Sequence, residues 1–187
     1  ECIIIDPAFI EPSEHKTFKT FIEEQGLYPV MLINTHGHID HVSGNSFIEE
    51  TYGLSPAIHR DGQSILDSAP EQGAIMGFPP MKNPAPQQYL SDGEIIQLGS
   101  DRIEVRYTPG HADGSISLVL HNERTVLSGD VLFAEGVGRA DLPTGNMETL
   151  QKSIKEKLFV LPDDFTVYPG HGPVTTIKHE KTHNPFL

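Results

Sequence analysis

The chain has 187 residues, enough for one domain with a substantial core, and a net charge of −13. That charge counts against nucleic acid, whose phosphates call for basic patches, and against an anionic membrane surface. The single cysteine, Cys2, excludes an intrachain disulfide; no stretch approaches the ~20 apolar residues of a membrane span and no signal peptide is visible, so a cytoplasmic protein is expected.

Ile3-Ile4-Ile5 reads as a strand that ends at Asp6-Pro7. Phe18, Phe21 and Ile22 share one face of a helix predicted over 14–25, with Ser13 as its cap and Gly26 at its end. Val30-Met31-Leu32-Ile33 reads as a buried strand. It runs into His36-Gly37-His38-Ile39-Asp40-His41, three imidazoles and a carboxylate in six positions. A helix over about 41–52 follows, with Phe47, Ile48 and Tyr52 apolar, which puts Asp40 and His41 near its start. A short strand at 56–59 and a short helix from Asp61 to Ser68 come next. Residues 69–90 hold Pro70, Pro79, Pro80, Pro84 and Pro86 and predict an irregular loop of functional or mobile character. Strands are predicted at 94–98, 102–107, 116–120 and 125–128, with a turn at Asn122-Glu123. Met147, Leu150, Ile154 and Leu158 mark a helix, and Phe165-Thr166-Val167 a last strand. His179 and His183 lie four apart on a C-terminal helix. His15 falls on the polar face of the first helix and is expected to be exposed. The order suits an α/β architecture with helices outside two sheets, in one domain spanning 1–187.

Imidazole and carboxylate are the donors that suit zinc and its first-row neighbours. Three further loops follow apolar stretches and end in such donors: Tyr107-Thr108-Pro109-Gly110-His111, Ser128-Gly129-Asp130 and Tyr168-Pro169-Gly170-His171. The collected set is His36, His38, Asp40, His41, His111, Asp130 and His171. Seven donors are too many for one tetrahedral ion. They fit two ions if a carboxylate bridges.

This constellation resembles the metallo-β-lactamase superfamily, along nearly the whole chain from Ile3-Ile4-Ile5-Asp6-Pro7 to Asn184-Pro185-Phe186-Leu187. Within it, Thr35-His36-Gly37-His38-Ile39-Asp40-His41 followed by Gly44-Asn45, and Gly138-Arg139-Ala140-Asp141-Leu142-Pro143, resemble the small single-domain glyoxalase II branch. The resemblance implies an αββα sandwich, two mixed sheets with helices outside. Glu1–Asp6 then looks like its third strand, so that about two preceding strands are missing. It also implies that His36, His38 and His111 hold metal 1, that Asp40, His41 and His171 hold metal 2, and that Asp130 bridges them. True β-lactamases of the superfamily lack that bridging Asp, which weakens a lactamase reading.

Two such ions lower the pKa of a bridging water to near 7 and polarise a carbonyl. Asp40 orients the resulting hydroxide as it attacks. A thioester suits this chemistry, because its leaving thiolate has a pKa near 8.5 and needs no strong general acid. The resemblance implies hydrolysis of S-acyl-glutathione by this dinuclear, metal-dependent route. Zinc is the expected metal, and the same donors accept iron or manganese. The substrate is a small-molecule thioester, with no nucleic acid or membrane as partner and an oligomeric state the sequence leaves open. Two departures bear on glutathione: the chain stops at Leu187 without the following basic helical segment, and Pro173 stands where a Tyr is usual. Arg139 falls where a glutathione-contacting Lys is common, which makes it a candidate for substrate binding; pairing with Asp141 is the alternative. The rival activities are a persulfide dioxygenase, with one iron on His36, His111 and Asp130, and a lactonase.

Overall fold

A computed structural model describes all residues, 1–187. They form two compact units, residues 1–58 with 63–89, and 59–62 with 90–187.

The first unit is built on a sheet in the order β1-β2-β3-β4: β1 (Cys2–Ile5), β2 (Pro29–Ile33), β3 (Pro56–His59) and β4 (Gln88–Leu90). β2 is parallel to both β1 and β3. Parallel neighbours need a crossover, and helix α1 (Pro12–Glu24) supplies the first of them. α1 starts two residues earlier than its serine suggests. Glu11 is the cap, in a capping box with Glu14, and a proline inside the first turn loses no hydrogen bond. Glu14 accepts from the Ile10 and Glu11 amides, and these bonds hold its carboxyl below the usual range.

The helix expected over 41–52 is two, α2 (Ile39–Val42) and α3 (Asn45–Tyr52). The break has a tertiary cause. The Gly44 amide donates to the Pro7 carbonyl at 2.7 Å, and a Cβ at 44 would lie 2.5 Å from that same oxygen. Ile4 and Leu32 of the sheet, Ile48 of α3 and Phe18 of α1 share one apolar cluster. His15 is half-buried rather than exposed, stacked on Phe47 with ring centroids 4.1 Å apart.

Residues 69–76, expected in a loop, are the second half of helix α4 (Gln63–Met76), with Pro70 inside it. Proline has no N–H to give to the carbonyl four residues back, which is a strong breaker signal. Here that carbonyl, Leu66 O, accepts from Asn83 Nδ2 at 3.2 Å. A side chain from the following loop thus restores the missing bond, and the loop shrinks to residues 77–87. Leu66 and Ala69 are fully buried against Ile39, Val42 and Ile58.

The second unit carries a six-stranded sheet in the order β12-β11-β8-β7-β6-β5. Its strands are β5 (Ile95–Leu98), β6 (Asp101–Tyr107), β7 (Ile116–Leu120), β8 (Thr125–Gly129), β11 (Thr166–Pro169) and β12 (Thr175–Thr176). Between β8 and β11 come a small hairpin, β9 (Leu132–Phe133) with β10 (Gly136–Val137), and helix α5 (Met147–Ser153), which widens into a π turn over Ile154–Leu158. Helix α6 (Ile177–His183) follows β12. Leu150, Ile154 and Leu158 are fully buried with Val126, Val167 and Ile177. Each such side chain contributes about 1.5–3 kcal/mol relative to exposure. No helix is long and apolar enough to cross a membrane.

Candidate metal centre

In the first unit the histidine loop leaves the C-terminal end of β2, a strand flanked by parallel neighbours. Backbone positions there are fixed from both sides, the arrangement on which open α/β sheets build their sites. Asn34, Thr35 and His36 are all buried, so the loop enters the interior before it turns. Asn34 and Asn45, both fully buried, exchange side-chain amide bonds at 3.2 and 2.9 Å. They pin the start of the loop to the start of α3. The His36 ring then stands 4.8 Å from that of His38 and 4.2 Å from that of His41. Asp40 is exposed in the first turn of α2.

One residue that organises this set was not singled out from the sequence. Asp6, just past β1 with φ +48°, accepts from the Thr35 amide at 2.7 Å and from the Thr35 hydroxyl at 2.6 Å. Its Oδ2 also faces His41 Nδ1 at 2.9 Å. A carboxylate that closes a run of three isoleucines is the only sequence signal of this role.

The tautomers follow from these partners. His41 Nδ1 faces a carboxylate, so it is the protonated nitrogen. The Thr35 hydroxyl gives its hydrogen to Asp6, so at 3.1 Å it can only accept from His36 Nδ1.

In the second unit three strands deliver the remaining candidates to one edge. β8 and β11 are parallel neighbours, so Asp130 and His171, which follow them, lie side by side. β6 runs in the same direction as β8, each being antiparallel to β7, and His111 follows β6. His111 Nε2 and His171 Nε2 stand 3.8 and 3.6 Å from Asp130 Oδ2. Both distances exceed a hydrogen bond. They suit donors that each reach ~2.0–2.2 Å to an ion. His111 and Asp130 are buried, whereas His171 is about half exposed. His111 Nδ1 points at the Arg139 carbonyl at 2.8 Å, an acceptor only, so again Nδ1 carries the proton. Gly138, next to Arg139, has no space for a side chain: an added Cβ would run into the Asp130 carbonyl oxygen and lie 3.1 Å from His111 Cβ.

Three buried imidazoles, His36, His41 and His111, thus have Nδ1 engaged by protein, which leaves Nε2 as the nitrogen that can ligate. Orientation through the other nitrogen is how metal-binding histidines are held. The residues present thus fit metal ions.

Arg139 contributes its backbone to His111, while its side chain is exposed and bonds Asp141 through Nε and Nη2, both at 2.8 Å. Those bonds hold the Asp141 carboxyl down at about 2. The other histidines have separate partners. His59 stacks on Tyr107 at 4.0 Å, and His121 Nε2 meets Glu104 Oε2 at 2.6 Å. His179 Nε2 meets Glu135 Oε1 at 3.0 Å.

The model of the metallo-beta-lactamase superfamily matches residues 1–171. Hydroxyacylglutathione hydrolase GloC of Haemophilus influenzae is 37% identical over 186 residues, 98% of this chain and 86% of that protein. Two solved structures share the fold with TM-scores of 0.88. BLEG-1 B3 metallo-β-lactamase is 32% identical and is matched over 99% of this chain and 88% of its own. TTHA1623 in a di-iron-bound form is 33% identical, over 98% and 88%. The expectation of a metallo-β-lactamase-type mixed α/β fold is met. With the family's model spanning all four ligand-bearing loops, the chain belongs to the metallo-β-lactamase superfamily of metal-dependent hydrolases.

Proposed function

We propose that the chain hydrolyses thioesters, S-acyl-glutathione foremost, at a centre of two divalent metal ions. His36, His38 and His111 hold one ion, Asp40, His41 and His171 the other, and Asp130 both. The observation that carries the reading is that His36, His41 and His111 each have Nδ1 tied to protein, the arrangement that turns Nε2 to a metal. Support for the substrate class comes from the relative named a hydroxyacylglutathione hydrolase. Zinc is the preferred metal, with iron and manganese suited to the same donors. When bound, such ions acidify a water and polarise the substrate carbonyl. Asp40 is exposed in the first turn of α2, and in this reading its carboxylate accepts a hydrogen bond from the attacking water and aims it. Asp6 keeps the proton on His41 Nδ1, and the Arg139 carbonyl keeps it on His111 Nδ1. The leaving thiolate needs no general acid.

Zinc-loaded protein should release thiol from S-lactoylglutathione under nitrogen. Parallel assays would follow oxygen uptake with glutathione persulfide in air and opening of a β-lactam. Oxygen uptake or lactam opening without thiol release under any metal would overturn the assignment.

Arg139 is proposed to contact an anionic group of the substrate through Nη1, the guanidinium nitrogen turned away from Asp141. Arg139→Ala should then raise KM for glutathione thioesters about tenfold, one charge-assisted hydrogen bond's worth, with a smaller effect on kcat. An equal change for neutral thioesters would assign the side chain to structure alone.

A further inference from the structure

We propose that Glu180 is a positioning residue for the second ligand set, acting through the β9–β10 hairpin; the inference rests on the reading of His111 and Asp130 as metal ligands. Glu180 lies on α6 and is 1% exposed. A carboxyl group is expensive to bury unless its oxygens are satisfied. Three donors satisfy these two. Oε1 accepts from the Thr175 hydroxyl, and Oε2 accepts from the Glu135 amide at 2.9 Å and from Asn184 Nδ2 at 2.8 Å. The second hydrogen of Asn184 Nδ2 goes to the Gly136 carbonyl at 2.9 Å. Glu180 and Asn184 together therefore grip both sides of the hairpin tip, one amide and one carbonyl.

The tip needs such a grip. The hairpin has two paired residues per strand, too few to be stable alone. Its turn residue Glu135 sits at φ +53°, a region that disfavours a side chain.

The two ends of the hairpin both lead to the ligands. It begins at Leu132, two residues after Asp130. It ends at Val137, beside Gly138, which is pressed on the Asp130 carbonyl and His111 Cβ. The next residue, Arg139, gives His111 its orienting carbonyl. A tip that slips thus turns Asp130 at one end and withdraws the acceptor of His111 at the other. Val131 and Leu132 also pack in the core, but apolar packing is non-directional and fixes the turn less sharply than the two hydrogen bonds at its tip.

The test uses the full chain with Glu180→Ala, Glu180→Gln and Asn184→Ala. Glutamine can keep the clamp. Its oxygen accepts from Glu135 and Asn184, and its amide donates to the Thr175 hydroxyl, which turns to accept. Each variant is loaded with zinc for chelator competition and with cobalt(II) for its visible absorption spectrum; metal-free thermal midpoints monitor folding. Glu180→Ala should hold zinc about tenfold more weakly, the low end for losing an outer partner of a metal ligand, with an altered cobalt spectrum. Glu180→Gln should restore both towards wild type. Folded Glu180→Ala with wild-type zinc retention and cobalt spectrum would overturn the clamp. If Glu180→Ala does not fold, Asn184→Ala carries the same expectation and the same refutation, since it frees the Gly136 carbonyl. Wild-type protein that retains no metal would overturn the proposed function, and the clamp with it.

Discussion

Asp130→Ala should purify with less than its full complement of metal and lose activity by more than about a hundredfold, beyond what loss of an outer partner costs. In the proposed centre Asp130 is the ligand common to both ions, whereas His171 or His38 serves one. Its Oδ2 also lies near both His111 Nε2 and His171 Nε2, at 3.8 and 3.6 Å, so its removal takes a neighbour from each imidazole. His171→Ala, by contrast, removes a half-exposed side chain and should cost one ion only. Elemental analysis of both variants, with thiol release as the activity, separates the two cases. Two ions and near-normal turnover in Asp130→Ala would refute the bridging role.

The second large effect is expected at a residue with no chemistry of its own. Gly138→Ala should lower stability by about 3 kcal/mol or more, the upper range for overpacking. For a chain of this size that is a fall in Tm of roughly 6–12 °C. The obstacle is a backbone carbonyl, that of Asp130, with His111 Cβ also close. Neither is the end of a flexible side chain, so the backbone at 138 must move, and the Arg139 carbonyl moves with it. Metal retention should therefore fall together with Tm. A midpoint within two or three degrees of wild type, measured by calorimetry alongside metal content, would show that the loop yields without cost.

The ligand candidates were legible because they are scarce residue types placed where apolar strands stop. Their supports were not. Asp6 reads as an ordinary strand terminator; its partners Thr35 and His41 are 29 and 35 residues away, and no local pattern announces such a pairing. Nor does any period reveal that the Arg139 carbonyl, rather than its guanidinium, meets His111. Among the elements, strands with clear apolar runs emerged close to their predicted places, such as β7 at Ile116–Leu120. The errors arose where tertiary contacts override local signals. Phe47, Ile48 and Tyr52 suggest one helix from 41 onward, but the Gly44 amide goes to the Pro7 carbonyl and the helix breaks there. Pro70 announces a helix end that does not occur.

The bond between Asn83 and the Leu66 carbonyl ties two distant positions into one unit of inheritance. A lineage that keeps proline at 70 is under pressure to keep a donor of suitable length at 83. One that replaces the proline regains the ordinary helical bond, and its position 83 is released to drift. Relatives compared across these two sites should show paired substitution. The stretch between Met76 and β4 can change length easily only in those that have already lost the proline, since elsewhere an insertion ahead of Asn83 would carry the donor away from its acceptor.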